Sequence, residues 1–340
     1  MRFNMSKYAI CQCYFTRNFF VDQLQTHCLF ASTPQFLHDY ADLIRNLGQD
    51  ELKSILKDLA HERDRRRNLI NGLSSVRETI RTNYKRKHPG IFNFQESRML
   101  DERFSELVTE ARNKRALDKI THHGRGVFSF PAFTPDFCQE LVDELNSIEH
   151  HPNLPLNRPN TMNKYGTALD DVGFTNVVDT LRQEFIQPLC DRLYKDERFQ
   201  LDSHKAFTVK YLDNDFKNDE GLAIHFDNAE VTLNVALTEN FDGGEVVFHG
   251  RSSNGLNQQP PPIGINHEVG QGILHLGCQL HEALPITNGT RVNLIIWMRS
   301  SKHRNLRCPM CLEKPILEEV SCGYGDGFTM HQSQNDEHSH

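Results

Sequence analysis

Two histidines and one carboxylate stand where they could hold a metal ion: His225 and Asp227 are separated by one residue, and His281 follows 54 residues later. Imidazole with carboxylate suits a divalent transition metal, and a three-ligand set leaves coordination positions open for reacting groups. Ten residues beyond His281 comes Arg291, in the run Thr290-Arg291-Val292-Asn293-Leu294-Ile295-Ile296-Trp297-Met298. Alternation on a strand places Val292, Leu294, Ile296 and Met298 on one face, and Arg291, Asn293, Ile295 and Trp297 on the other. A guanidinium on a mostly apolar face is costly to bury unless an anion meets it there, so Arg291 predicts an anionic ligand near the metal. Any single one of the 18 histidines reads first as a core or loop residue. The three ligands together with Arg291 carry the reading.

These side chains need a rigid frame. Gly221-Leu222-Ala223-Ile224-His225-Phe226-Asp227 reads as extended, which turns His225 and Asp227 toward one point. Further strands are predicted over 207–212, 231–237, 244–249, 273–276 and 291–298, with a turn at Asp242-Gly243-Gly244. Many short strands in one block suit a double-sheet jelly roll, whose mouth can hold a small ligand. Upstream, Gly126 to Pro131 predicts a strand. Thr134, followed by Pro135, caps a helix with Phe137, Leu141, Leu145 and Ile148 on one side. A second helix is expected over 175–193, bent at Pro188. Nearer the start, a packing segment with a short strand pair precedes helical spacing at Leu37, Tyr40 and Ile44, then Leu52, Ile55, Leu56 and Leu59. Gly48 lies between those two runs, and another helix is predicted over 97–119. The expected architecture is α+β: a mainly helical N-terminal region (1–120), a jelly roll with bracing helices (121–305, core 204–300) and a Cys- and His-containing tail (306–340).

The order His-x-Asp, then His, then Arg resembles the Fe(II)- and 2-oxoglutarate-dependent dioxygenase superfamily. Gly272 nine residues before His281, the run Pro285-Ile286-x-x-Gly289-x-Arg291 and the closing Trp297 are similar to its prolyl and lysyl hydroxylase branch. The resemblance implies a double-stranded β-helix with Fe(II) on His225, Asp227 and His281. It implies that Arg291 holds the distal carboxylate of 2-oxoglutarate, a task suited to a planar fork of donors. Tyr211 and Asn293 would be further cosubstrate contacts, although Tyr211 reads equally well as a packed wall residue and Asn293 as a partner of backbone groups. O2 is then the other cosubstrate, succinate and CO2 are products, L-ascorbate restores Fe(II), and a protein side chain is hydroxylated. Asn160, Asn163 and Tyr165, in a polar loop, would cover the substrate side. Nucleic-acid demethylating relatives resemble Arg-x-Asn followed by a further Arg on the same face, whereas Ile295 and Trp297 follow here.

Composition narrows the partners. A net charge of −7 argues against nucleic acid as the main ligand. The run His61-Glu62-Arg63-Asp64-Arg65-Arg66-Arg67 reads as a solvated helix face with internal charge pairs rather than a nucleic-acid or import patch. Nine scattered cysteines, no signal-like apolar run and no bilayer-length run predict a cytoplasmic or nuclear protein with no membrane partner. Cys11-x-Cys13 has no second pair at finger spacing, and Cys308-x-x-Cys311 has no fourth ligand at a regular spacing, so both read as packing thiols. His249, His267 and His275 lack a carboxylate two positions away and read as supporting or surface residues. Two other classes stay open. One is a catalytically silent jelly-roll binding module; the other is a zinc hydrolase, which gives Arg291 no role.

Overall fold

Alternation along Ile286–Arg299 divides the molecule into a core side and a cavity side. This is seen in a computed structural model that describes residues 7–11, 13–16, 19–160, 162–163, 165–195, 199–213, 220–251, 261–319 and 328–330. The first part of the chain is β1 (Lys7–Ile10), α1 (Cys13–Thr16), β2 (Phe19–Val21), β3 (Thr26–Cys28), α2 (Thr33–Asp39), α3 (Ala41–Ile44), α4 (Gln49–Asn83), α5 (Glu96–Met99) and α6 (Glu102–Arg112). Then come β4 (Thr121–Gly124), β5 (Val127–Pro131), α7 (Pro135–Glu149), α8 (Thr175–Thr180), α9 (Gln187–Leu193) and β6 (Ser203–Leu212). The sheets are completed by β7 (Leu222–His225), β8 (Val231–Ala236), β9 (Phe241–Gly243), β10 (Val246–Arg251), β11 (Ile263–Ile265), β12 (Gln271–Leu276), β13 (Gln279–Ala283) and β14 (Ile286–Arg299). The tail holds α10 (Ser301–Arg304), β15 (Ile316–Glu319) and β16 (Thr329–Met330).

Two antiparallel sheets face each other as a jelly roll. The larger runs β16-β6-β14-β8-β12-β5-β4 with β9 added to β14, and the smaller runs β11-β10-β13-β7. On β14, Val292, Leu294, Ile296 and Met298 enter the main core, with Leu141 and Leu145 of α7 and Leu189 of α9. Burying each such side chain stabilises by about 1.5–3 kcal/mol. A slip of one residue would drive Arg291 into that core, so burial fixes the register.

Several local expectations are corrected. The helix expected over 97–119 is α5 and α6, parted where Asp101 caps α6 by accepting from the Arg103 N–H at 2.9 Å. It ends at Arg112, with Lys114 in the left-handed region. The helix over 175–193 carries a π-helical stretch at Leu181–Ile186, immediately before Pro188 in the first turn of α9. Proline has no N–H for the carbonyl of Glu184, which accepts from Arg112 instead. β13 was not predicted, because its inward residues Gln279 and His281 are polar and leave no apolar alternation to read.

The N-terminal hairpin β2–β3 packs with α2 and α4 in a small core of its own, around Phe19, Phe30, Phe36, Ile55 and Leu59. The basic run of α4 makes the expected internal charge pairs, Glu62 with Arg65 and Arg66, and exposes His61, Asp64 and Arg67, but it is solvated only in part. Arg66 is buried, its guanidinium 3.9 Å from the Phe19 ring centre, donating to Glu62 at 3.0 Å and to the Tyr14 carbonyl at 2.7 Å. A flat cation of that kind packs on aromatic faces while its N–H groups stay paired. The reading of the two cysteine pairs as partnerless is also corrected: the fold brings Cys11, Cys13, Cys308 and Cys311 together, their sulfurs all within 4.8 Å of one another. No described helix is long and apolar enough to cross a membrane.

Candidate active site

The structure brings His225, Asp227 and His281 together, each buried, with one ligand atom from each lying within 4.8 Å of the others. His225 ends β7 and pairs directly across the sheet with His281 of β13. Asp227 lies two residues past the end of β7, so strand alternation does not place it. Its backbone N–H donates to the Gly277 carbonyl at 2.9 Å, and its Oδ2 accepts from the Thr232 hydroxyl at 2.6 Å. Gly277 is required at that point, since a Cβ there would meet the Ala229 carbonyl oxygen at 1.9 Å.

Both imidazoles are held in one tautomer. His225 Nδ1 donates to the Ala223 carbonyl at 2.8 Å and His281 Nδ1 to the Gln279 carbonyl at 2.9 Å, which leaves each Nε2 as a lone pair aimed inward. Nε2 of His225 is 3.7 Å and Nε2 of His281 is 3.8 Å from the Asp227 carboxylate. Burial and the neighbouring His281 push His225 down to about 3, so it is neutral near pH 7. His275 joins the cluster from β12, its Nε2 3.8 Å from Asp227, and burial and His281 push it down to about 4. Among the described residues, the groups ion-paired to Asp227 are these histidines alone. Two of the imidazoles around this buried carboxylate, His225 and His275, are neutral near pH 7, and a divalent metal would supply the formal cation that they do not. The donor set therefore fits Fe(II).

The second group lies alongside. Arg291 is 1% exposed, and among the described residues no carboxylate pairs with it. Its Nε donates to Asn293 Oδ1 at 2.9 Å, Nη1 donates to the Gly244 carbonyl, and Nη2 lies 3.5 Å from His267 Nδ1. His267 Nε2 donates to the Gln271 carbonyl at 2.7 Å, so Nδ1 is an acceptor, and it also takes the Asn293 amide at 3.1 Å. Burial and Arg291 push His267 down to about 3, which keeps a second positive charge away from the guanidinium. Asn293 donates in addition to Asn234 Oδ1 at 2.6 Å. The result is a fixed, buried cation with no carboxylate among the described residues to meet it. Tyr211, buried beside it, has its ring centre 5.6 Å from the guanidinium carbon and a hydrogen bond to the Asn163 side chain.

Arginine, tyrosine and the three-residue cluster line one cavity, with Ile295 and Trp297 in its wall. The family model described as the OGFOD2-like domain matches residues 80–198. The 2-oxoglutarate and iron-dependent oxygenase domain-containing protein 2 of Danio rerio is 38% identical over 337 residues, covering 96% of this chain and 96% of that protein. The chain belongs to this family. The 2-oxoglutarate and iron-dependent oxygenases are oxidoreductases, and membership implies Fe(II), 2-oxoglutarate and O2. A procollagen lysyl hydroxylase and glycosyltransferase of Acanthamoeba polyphaga mimivirus is 28% identical over 204 residues, 56% of this chain and 21% of that protein. A prolyl 4-hydroxylase structure from Phytophthora capsici covers 64% of this chain and 70% of its own, at 20% identity and a TM-score of 0.41.

Among the residues picked out for the oxygenase site, His225, Asp227, His281, Arg291, Tyr211 and Asn293 all line the one cavity. Asn160 and Asn163 line it too, joined at 2.9 Å, while Tyr165 does not. His267, read from the sequence as a supporting or surface residue, supports Arg291 and Asn293. Thr232 and Asn234 share one face of β8, but the hold of Thr232 on Asp227 and of the Gly244 carbonyl on Arg291 were not read from the sequence.

Proposed function

We propose that this oxygenase hydroxylates a protein side chain, with Fe(II) on His225, Asp227 and His281 and 2-oxoglutarate on Arg291. In this reading residues 121–305 carry the reaction, 1–120 form a helical brace and 306–340 a tail. When bound, the metal would let O2 place one oxygen atom as a hydroxyl on an unactivated carbon and the other in succinate, with 2-oxoglutarate supplying two electrons and releasing CO2. The chain's own part is positioning. Arg291, held by Asn293, Gly244 and His267, offers its remaining N–H groups to the distal carboxylate, and Tyr211 stands beside it with a hydroxyl. Thr232 keeps the Asp227 carboxylate in one rotamer, and the carbonyls of Ala223 and Gln279 do the same for the imidazoles. Phe207, Val209 and Val246 keep the walls apolar and restrict water. L-Ascorbate would serve as the reductant that restores Fe(II), and a cytoplasmic or nuclear setting agrees with eight free cysteines among the described residues.

The observation that carries the substrate class is the cavity face of β14 past Asn293. It continues as Ile295 and Trp297, and the indole N–H of Trp297 is buried with no acceptor among the described residues. An apolar wall with one unmet donor suits a peptide, which brings aliphatic surface and carbonyl oxygens, and gives nothing to a phosphate backbone. Anaerobic loading with Fe(II) and 2-oxoglutarate, trapping of bound proteins by cross-linking, and admission of air should yield peptides carrying one added oxygen. Wild type should give them and Asp227→Ala should not. Oxidised nucleosides from the same experiment, with no oxidised peptide, would overturn the substrate class.

A further inference from the structure

Cys11 and Cys13 sit at the start of the described chain, Cys308 and Cys311 almost 300 residues later, and their four sulfurs converge. Cys11 Sγ is 3.3 Å from Cys311 Sγ, and Cys13 Sγ is 3.5 Å from Cys308 Sγ. A disulfide would close those gaps to about 2.05 Å. Four thiolates around zinc at bonds of about 2.3 Å stand roughly 3.8 Å apart by tetrahedral geometry, inside the observed span. Cys13 and Cys308 are buried, and Cys11 and Cys311 are half-buried. Among the described residues no imidazole or carboxylate belongs to the group, which gives the closed, all-sulfur set of a structural zinc site.

The backbone is shaped for the same purpose. Leu312, directly after the second cysteine of Cys308-x-x-Cys311, takes the left-handed region at φ 64°. Its N–H donates to the Cys308 carbonyl at 2.8 Å, and the N–H groups of Met310 and Cys311 point at Cys308 Sγ. From the other strand, the Cys13 N–H points at Cys11 Sγ. Donors of this kind stabilise a metal-bound thiolate. Next to the sulfurs, β1 and β15 pair antiparallel with Ile10 opposite Ile316, and among the described residues they form a sheet of two strands. An isolated two-stranded sheet is marginal alone, so a cross-link at its end is what it lacks.

We infer that Cys11, Cys13, Cys308 and Cys311 bind one structural zinc ion that fastens the N-terminal segment to the C-terminal tail, separate from the iron site. Binding releases the thiol protons to solvent and changes no oxidation state. The tail fastened in this way goes on to β16, which pairs with β6, and to Phe328, which stacks on Trp297 of the cavity wall at 6.4 Å. The zinc thereby braces the rear of the substrate wall.

Native mass spectrometry with metal analysis on the 340-residue chain tests this. Wild type is expected to hold about one equivalent of zinc that survives a mild chelator, with the four thiols resisting iodoacetamide until a mercurial expels the metal. His225→Ala with Asp227→Ala should keep that zinc, and Cys308→Ser with Cys311→Ser should lose it. Replacement by Co(II) should give the visible bands of a tetrahedral thiolate site, a readout that needs no turnover. If the cysteine variant does not fold, the wild-type alkylation pattern decides. Wild type without zinc and with four alkylated thiols, a mass showing two disulfides, iron in place of zinc, or zinc that leaves with the histidine and aspartate instead, would each overturn the inference.

Discussion

At the residue scale the decisive feature is a buried cation without an anion. Arg291 keeps three hydrogen-bonding neighbours and, among the described residues, still lacks the carboxylate that its burial calls for. Arg291→Met keeps the volume and removes the fork; with about 2–5 kcal/mol at stake for a buried charge pair, the KM for 2-oxoglutarate should rise by roughly thirtyfold or more, while metal binding is unchanged. Titration of 2-oxoglutarate against succinate release checks it. A second buried charge governs stability. His204 on β6 lies between Asp170 at 2.7 Å and Asp179 at 3.1 Å. Burial opposes its charge, but the two carboxylates outweigh burial and push it up to about 9 from 6.5. Because the folded pKa is the higher one, this contribution is complete below pH 6.5 and is lost as pH rises through about 9. His204→Ala, which leaves Asp170 and Asp179 buried without their partner, should cost about 3–5 kcal/mol at neutral pH. Urea unfolding should show that gap between wild type and variant shrinking above pH 9. Arg291 was legible because arginine on an apolar face is anomalous in any sequence. His204 was not, since its partners come from segments 25 to 34 residues away and share no local pattern with it.

At the element scale, the site depends on how two strand ends meet. The turn between β12 and β13 lies against the segment carrying Asp227, with Gly277 in contact with the backbone at Asp227 and Ala229. Gly277→Ala should displace that segment and reduce turnover by roughly 100-fold, the cost of about 1 Å of misplacement, while circular dichroism stays close to wild type. Unchanged turnover would mean that the turn does not position Asp227. The sequence made β14 readable because its two faces differ in chemistry as well as in position. It hid β13 because polar inward residues mimic a loop, and it hid the break before α6 because Leu100-Asp101 looks like one more helical step. The cysteine pairs show the same limit at longer range: spacing rules address ligands close in sequence, whereas these pairs meet only when β1 finds β15.

At the scale of the whole molecule, the end of α4, α5 and α6 share one core with the jelly roll, apart from the small core around the N-terminal hairpin. Phe104 of α6 stacks on Phe130 of β5 at 4.9 Å, and Leu107 and Val108 enter the cluster that holds Leu233 and Ile296. Phe104→Ala should cost about 3–5 kcal/mol. The only tryptophan, Trp297, reports from the cavity face of β14 in the larger sheet, and its fluorescence should move in the same denaturant transition as the helical circular dichroism. Helical signal lost first would show two independent units. The central claim is that one cavity joins an iron shell of His225, Asp227 and His281 to the 2-oxoglutarate anchor Arg291. Its most direct test is succinate formed from 2-oxoglutarate by purified protein with Fe(II) and O2, without added substrate. The account predicts slow release by wild type and none by Asp227→Ala; equal release by both would place the chemistry elsewhere.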